Sequence, residues 1–600
     1  MSGKSGLPSR CEVAVEDCWN MKDLYLSDEV WETDAGKLEQ RLEEFSRLQG
    51  VLSQNPDGMK KVLDHRQKLE LLLERLYVYA GQKYHEDTGN AKYQQMTGRA
   101  EGLMTKTSDV LSFVEPELME MEEERIWAFF EEEPSLSLYR RYVEEILRDK
   151  AHILSKELEQ VLAKASVMAQ GPQNIYSMFH NADLVFEEME EEDGSKVEIT
   201  HSRFLRLMES SSRSVRREAF EKVYQAYGQY RNTIAAVFDA NVKQARFFSS
   251  MRNYGSTLQA ALDGSRIPLS VYDRLIESVH KALPLMHRYV GLRKRALGLE
   301  ELHMYDVYVP LTKEQKGNIP FTEAKELVKE GLAPLGREYQ SILEEGFMGG
   351  WIDVYENKGK RSGAYSWGAY GTHPYVLLNY NGSFNHVFTL AHEMGHALHS
   401  YYSHREQPYL YAGYKIFVAE VASTCNESLL IHHLLEKAKD GQERAYLLNY
   451  FLEQCKSTIF RQTMFAEFER TVHERSAAGE TLTAELLNDI YYRLNQEYFG
   501  PDMVCDPQIA WEWARIPHFY TPFYVYQYAT GFSAAIAISR KLLAGEDQAV
   551  ENYKKFLSGG SSMDCIELLK LCGVDMTTGE AMEQAMGMFE QYLAELEQLL

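Results

Sequence analysis

The sequence predicts a mostly α-helical protein with one small β-sheet. Three observations lead to that reading. Apolar residues recur at helical spacing over long stretches, only 16 prolines interrupt 600 residues, and strand-like runs are confined to residues 351–380. The helical signal is explicit at Leu69, Leu72, Leu73 and Leu76, which fall at i, i+3, i+4 and i+7 with charges between them. Val143, Leu147, Leu154, Leu158 and Val161 continue the pattern.

Residues 1–35 read as an irregular lead-in, and helices follow from about Gly36 to Leu162. The acidic tract Glu115–Glu133 is a solvated helix face, because Ile126, Trp127, Phe129 and Phe130 interrupt it. A second acidic stretch, Glu187–Asp193 before Gly194, reads as a turn. Helices resume at Arg213 and run as scaffold to Ala261. Trp351–Tyr355 and Tyr375–Tyr380 are short, aromatic or β-branched, and bounded by Gly and Asn, which makes them strands. Gly359, Gly363, Gly368 and Gly371 between them predict a flexible loop that can serve binding. The strand that precedes the next helix is expected to be an edge along which an extended peptide can pair.

That next helix carries His392-Glu393-Met394-Gly395-His396. Two histidines four apart on a helix lie about 40° from each other around its axis, so both imidazoles can reach one metal ion. Glu393 is offset from them, where a carboxylate can reach a metal-bound water. This HExxH arrangement is that of zinc metallopeptidases, with the glutamate as general base. Val387-Phe388-Thr389-Leu390-Ala391 before it predicts a buried helix. Gly395 costs about 1 kcal/mol against alanine in a helix, which a close backbone approach would explain. His399 reads as a polar residue at the helix end.

A hydrolytic zinc needs three protein ligands and an open position. The metzincin pattern is excluded, because His399 and Tyr402 stand where it requires glycine and histidine. The stretch Tyr414–Glu427 reads as a buried helix with Glu420 in its apolar part. An unpaired buried carboxylate is costly, and ligation resolves that cost. Glu427 shares its face; it is either a hydrogen-bond partner of a ligand histidine or a solvated charge. Cys425 reads as a small core residue.

Near the C-terminus, Ile516–Tyr528 holds His518, Tyr520, Tyr524, Tyr526 and Tyr528. Thr521-Pro522 predicts a helix start, as N-cap and first helical residue. His518 and Tyr520 then sit in a loop, and Tyr524 and Tyr528 share a helix face. The segment is either a tyrosine-rich core helix or a set of donors to the oxyanion of an amide hydrolase.

The net charge of −25, from 64 basic and 89 acidic residues, argues against nucleic acid or an anionic membrane as partner. No run approaches the ~20 apolar residues of a membrane helix, and no signal peptide is visible. Seven cysteines without a CxxC pair predict free thiols and a cytoplasmic location.

Taken together, Gly363-Ala364-Tyr365-Ser366, Tyr370–Tyr380, the His392 motif, Phe417–Glu427 and His518–Tyr528 resemble the oligoendopeptidase F branch of the thimet oligopeptidase family of zinc metallopeptidases. The resemblance is strong over roughly residues 200–590. It implies a helical body enclosing a substrate channel, with a lead-in at 1–35, a helical domain at 36–200 and a catalytic domain at 201–600. It further implies one Zn(2+) per chain on His392, His396 and Glu420, with Glu393 as base. The zinc-activated water would attack the scissile carbonyl. His518 and Tyr528, then Tyr520, would stabilise the oxyanion, while Tyr524 and Tyr526 pack. The implied activity is cleavage of internal bonds in short unstructured peptides. The alternatives are a dipeptide-releasing carboxypeptidase, for which no cationic clamp stands out, and an inactive peptide-binding protein, against which the complete ligand set argues. Oligomeric state is left open.

Overall fold

The computed structural model describes residues 6–191, 194–312 and 318–600. It is 72% helical and 3% strand, as the sequence predicts. By contacts the chain forms two compact units, each assembled from three stretches. One comprises Met1–Ala151, Gly317–Leu430 and Ile538–Cys572; the other comprises His152–Lys316, Ile431–Ala537 and Gly573–Leu600.

In the first unit, helices Asp28–Phe45, Pro56–Glu86 and Ala91–Leu111 pack through a stripe that includes Trp31, Leu38, Leu42, Leu63, Leu76 and Leu103. The Trp31 indole N–H donates to the Leu76 carbonyl at 2.9 Å, so its one polar atom is satisfied in the core. The first helix begins at Asp28, earlier than the boundary expected at Gly36. Its start signal is Ser27 followed by two acids in the first turn, Asp28 and Glu29.

The lead-in is irregular but anchored. Its backbone meets the sheet region at Asn20 N to Gly350 O (2.6 Å), Val354 N to Asp17 O (2.9 Å) and Lys358 N to Pro8 O (2.8 Å). Arg10 forks onto the buried Asp353, which Lys360 also meets at 2.7 Å. Such a bidentate, charge-assisted pair fixes orientation as well as distance.

The sheet of this unit has Tyr375–Leu377 in its middle, parallel to Ile352–Asp353 and antiparallel to Tyr365–Trp367. This corrects the expectation that the strand before the His392 helix is an edge. Both its sides are occupied, and the outer strands are Ile352–Asp353 and Tyr365–Trp367. A Cβ on Gly81 would lie 2.8 Å from the Trp367 indole, so that glycine admits the long Pro56–Glu86 helix against this strand. Gln82 Nε2 then donates to the Trp367 carbonyl at 2.9 Å. Hydrogen bonds tie the glycine-rich stretch to its neighbours. Thr88 N donates to Gly359 O at 2.7 Å, and Asn379 Nδ2 donates to the carbonyls of Arg361 and Gly363 at 3.0 and 2.8 Å.

The second unit is helical, with long helices at Arg213–Gln229, Arg231–Met251, Leu269–Ala296 and Glu580–Leu599. Its interior contains paired charges. Glu512 accepts from Arg461 at 2.7 Å and from the Tyr224 and Tyr491 hydroxyls at 2.8 and 2.6 Å. Burial raises its pKa, but Arg461 and Arg515 overcome that and hold it at about 2. The acidic turn expected at Glu187–Asp193 is a hairpin, Glu188–Glu190 paired with Lys196–Glu198; Glu192 and Asp193 lie outside the described residues. Among the described residues no helix is long and apolar enough to cross a membrane.

Candidate active site

The His392 motif lies on helix Phe384–Glu406, whose buried face includes Val387, Leu390, Ala391, Met394 and Leu398. The Glu420 helix, Ile416–Lys437, packs directly on it. Gly395 is the reason the two can approach. A Cβ there would lie 2.5 Å from the Ser423 Cα and 2.9 Å from the Ala422 carbonyl oxygen. Asn426 rivets the pair: its Nδ2 donates to the Ala391 carbonyl at 3.0 Å, and its Oδ1 accepts the Tyr339 hydroxyl at 3.0 Å.

This packing brings three donors together. His392 Nε2 and His396 Nε2 are 3.2 Å apart, and they lie 3.4 and 3.6 Å from Glu420 Oε2. Two ligands about 2.1 Å from a zinc ion at tetrahedral angles are about 3.4 Å apart. The donor set therefore fits a tetrahedral metal site in spacing and in chemistry. The three are the group among the described residues that could hold a metal ion.

Glu427 takes the other ring nitrogen of His392 in a short hydrogen bond, which leaves Nε2 turned to the shared point. Burial acts to lower the His392 pKa, yet its bonds to Glu420 and Glu427 hold it well above the ordinary imidazole value. Burial likewise acts to raise Glu420, and the two imidazoles overcome it and hold that carboxyl well below the carboxylate range. The cluster thus pairs two imidazoles with the carboxylates of Glu420 and Glu427.

Glu393 is buried, outside the donor set, and its Oε2 has no hydrogen-bond partner. Burial pushes its pKa up, against the two neighbouring imidazoles. An orphaned carboxylate oxygen beside three converging donors is a feature that structure alone does not call for.

His399 is not at the helix end. It is buried, stacked on Tyr414 at 3.8 Å, and burial lowers its pKa to about 3. The helix continues past it to Glu406. Cys425 is buried, and burial pushes its thiol up to about 12, as suits a core residue.

In the second unit, His518 is exposed, with its ring 6.1 Å from those of both Tyr524 and Tyr528; the two tyrosines are 5.6 Å apart. Partial desolvation of one side of the ring lowers the His518 pKa. Tyr520 is not in this cluster. It is buried, stacked on Tyr176 at 4.1 Å, with a partnerless hydroxyl. Tyr526 packs on Tyr272 at 5.2 Å. Thr521-Pro522 does not start the helix, which begins at Tyr526. Phe523, at φ 57°, interrupts it. Two residues the sequence reading missed stand out: Asn426 and Glu469, whose Oε1 accepts the Phe523 N–H at 3.0 Å. Asn426 stands in a largely apolar helix, which was the available signal; Glu469 lies among Glu467, Arg470, His473 and Glu474, and nothing in its own segment marks it out.

Known proteins agree with this architecture. The family model described as Peptidase family M3 matches residues 206–588, well over half of the chain. The protein belongs to peptidase family M3. A second model, described as Oligopeptidase F, matches residues 117–186. Oligopeptidase PepF of Bacillus subtilis is 46% identical over 594 residues, covering 99% of this chain and 89% of that one. Group B oligopeptidase PepB of Streptococcus agalactiae is 40% identical, covering 97% of each. The crystal structure of oligoendopeptidase-F from Enterococcus faecium superposes with a TM-score of 0.75 at 40% identity, over 95% of this chain and 99% of that one.

Proposed function

We propose that this M3-family peptidase is a zinc endopeptidase acting on internal bonds of short, unstructured peptides. The observation that carries the proposal is the 3.2–3.6 Å spacing of His392 Nε2, His396 Nε2 and Glu420 Oε2 beside a Glu393 with an unpaired buried oxygen. His392, His396 and Glu420 would hold the metal. A zinc ion supplies a Lewis acid that acidifies water and polarises a carbonyl. Glu393 accepts the proton of the attacking water and passes it to the leaving amine.

His518 and Tyr528 are proposed as donors to the carbonyl oxygen as charge develops on it. The family resemblance and the exposed imidazole support this. The buried stack of Tyr520 on Tyr176 favours a packing role for that residue. The outer strand Tyr365–Trp367 is the proposed partner of an extended substrate backbone, toward its Tyr365 end because Gln82 already takes the Trp367 carbonyl. We also propose a cytoplasmic location, supported by seven free cysteines. A domain boundary near residue 200 is proposed too, since the two family models end at 186 and begin at 206 on either side of it.

The test is mass-spectrometric mapping of cuts in a peptide library, with and without a chelator. Internal cuts abolished by the chelator and restored by zinc are expected. Cuts only at the penultimate bond, lost when the C-terminus is amidated, would replace the proposal with a dipeptide-releasing carboxypeptidase.

A further inference from the structure

Glu469 lies in the middle of helix Arg461–Ala477 and is fully buried. Oε1 accepts the Phe523 backbone N–H at 3.0 Å, and Oε2 has no hydrogen-bond partner. Burial pushes its pKa up to about 8, opposed only by that backbone bond. A carboxyl so placed, without a cation, is costly. An apolar residue would serve packing better. Its one visible task is the amide it holds.

That amide belongs to a residue in an unusual conformation. Phe523 has φ 57°, where the Cβ of an L-residue crowds the following carbonyl. Glycine, asparagine or aspartate would take this turn more easily. A phenylalanine keeps it only if the surroundings over-determine it. Here they do. The ring is wedged between His473 at 4.6 Å and Tyr272 at 5.9 Å, while Glu469 fixes the N–H.

The turn separates the short helix Pro517–Tyr520 from the helix at Tyr526. It lets the His518 ring lie parallel to Tyr524, at 9°, and edge-on to Tyr528, at 89°. A competing conformation is written into the chain. Thr521-Pro522 is good helix-starting chemistry, and a helix from there would carry Tyr524 and Tyr528 around to other directions.

We propose that Glu469 is a positioning residue for the peptidase reaction. Its buried carboxyl holds the left-handed turn at Phe523 against a helical alternative and so sets His518 and Tyr528 relative to each other. The inference rests on the reading of those two as carbonyl-oxygen donors.

The experiment compares Glu469→Gln, Glu469→Met and Glu469→Asp in the full chain, with His518→Ala and Tyr528→Phe alongside. Gln retains an acceptor for the Phe523 N–H. Met removes it, and Asp withdraws it by one methylene. Met and Asp should lose about 10–100-fold in kcat, the scale of a small misplacement. KM should stay within about threefold, with metal content unchanged. Gln should remain within about threefold of the parent kcat. Wild-type kcat in folded Met and Asp variants, or a loss in Gln equal to that in Met, would overturn the proposal. Failure of both Met and Asp to fold would also overturn it, making Glu469 a stability residue. If His518→Ala and Tyr528→Phe keep full kcat, the donor assignment itself has failed. If they lose kcat and the Glu469 variants do not, only the positioning role falls.

Discussion

The Cα of Ser423 lies 2.5 Å from where a Cβ on Gly395 would be. The helix that presents two imidazoles and the helix that presents Glu420 therefore touch backbone to backbone. Gly395→Ala cannot be absorbed by a flexible side chain, because the obstructing atoms are main chain. Overpacking of this kind costs about 1–3 kcal/mol. The helices must also part, and the three donors with them. The expected outcome is a lowered Tm together with reduced zinc stoichiometry. A protein with wild-type zinc content would show that the donors do not depend on this contact.

Ligand and partner substitutions should separate by metal content. His392→Ala, His396→Ala and Glu420→Ala each remove a donor and should leave the purified protein with little zinc. Glu427→Gln keeps the ligands but weakens the carboxylate that orients His392. A loss of about 10–100-fold in zinc affinity is expected, the usual scale for such an outer partner. Competition titration with a chromogenic chelator measures it. Full zinc in Glu420→Ala would strike that residue from the ligand set.

Glu393→Gln should differ in kind. The amide is nearly isosteric and touches none of the three donors, but it cannot take a proton from water. Zinc content should be close to normal, while kcat falls at least ~100-fold. Retained turnover would place the base elsewhere.

The site was legible in the sequence where chemistry is local. The spacing of His392 and His396 and the isolation of Glu420 in an apolar run were enough to bring three donors forward, and Gly395 already signalled a close approach. Strand order was not legible. Tyr375–Leu377 reads as an edge because alternation says which residues form a strand, not who sits on either side. The anchoring of the lead-in was hidden because Arg10 and Asp353, far apart in the chain, give no periodic signal. Thr521-Pro522 misled for a different reason. Local capping preference was overridden by Glu469, a tertiary contact that the segment itself does not encode.

The pH dependence of stability should carry the mark of Glu469. Its ordinary value is near 4.5, and its folded value is raised to about 8. A raised folded pKa means stability is full below pH 4.5 and is lost as pH rises toward 8, because the unfolded carboxyl ionises first. Histidines whose pKa burial lowers, such as His85, His404 and His473 at about 4, act in the opposite sense over part of that range. Lys456, lowered to about 8, acts above it. The difference between parent and Glu469→Gln isolates the carboxyl. Across pH 5 to 8 the variant should gain in Tm relative to the parent. A constant difference would mean that Glu469 does not titrate in this window.

Substrate form should matter more than substrate sequence. If the peptide backbone pairs with the outer strand Tyr365–Trp367, its own N–H and C=O groups must be free and extended. A chain already paired within a folded domain cannot offer them. Main-chain pairing also reads little of the side chains, so several residues should be tolerated at the cut. One sequence should therefore be offered twice, as a short free peptide and as an exposed loop of a stable folded host. Rapid cleavage of the free peptide with a resistant loop is the expected result. Comparable rates on both would mean that the substrate need not be extended along the strand, and the backbone-pairing account would fall.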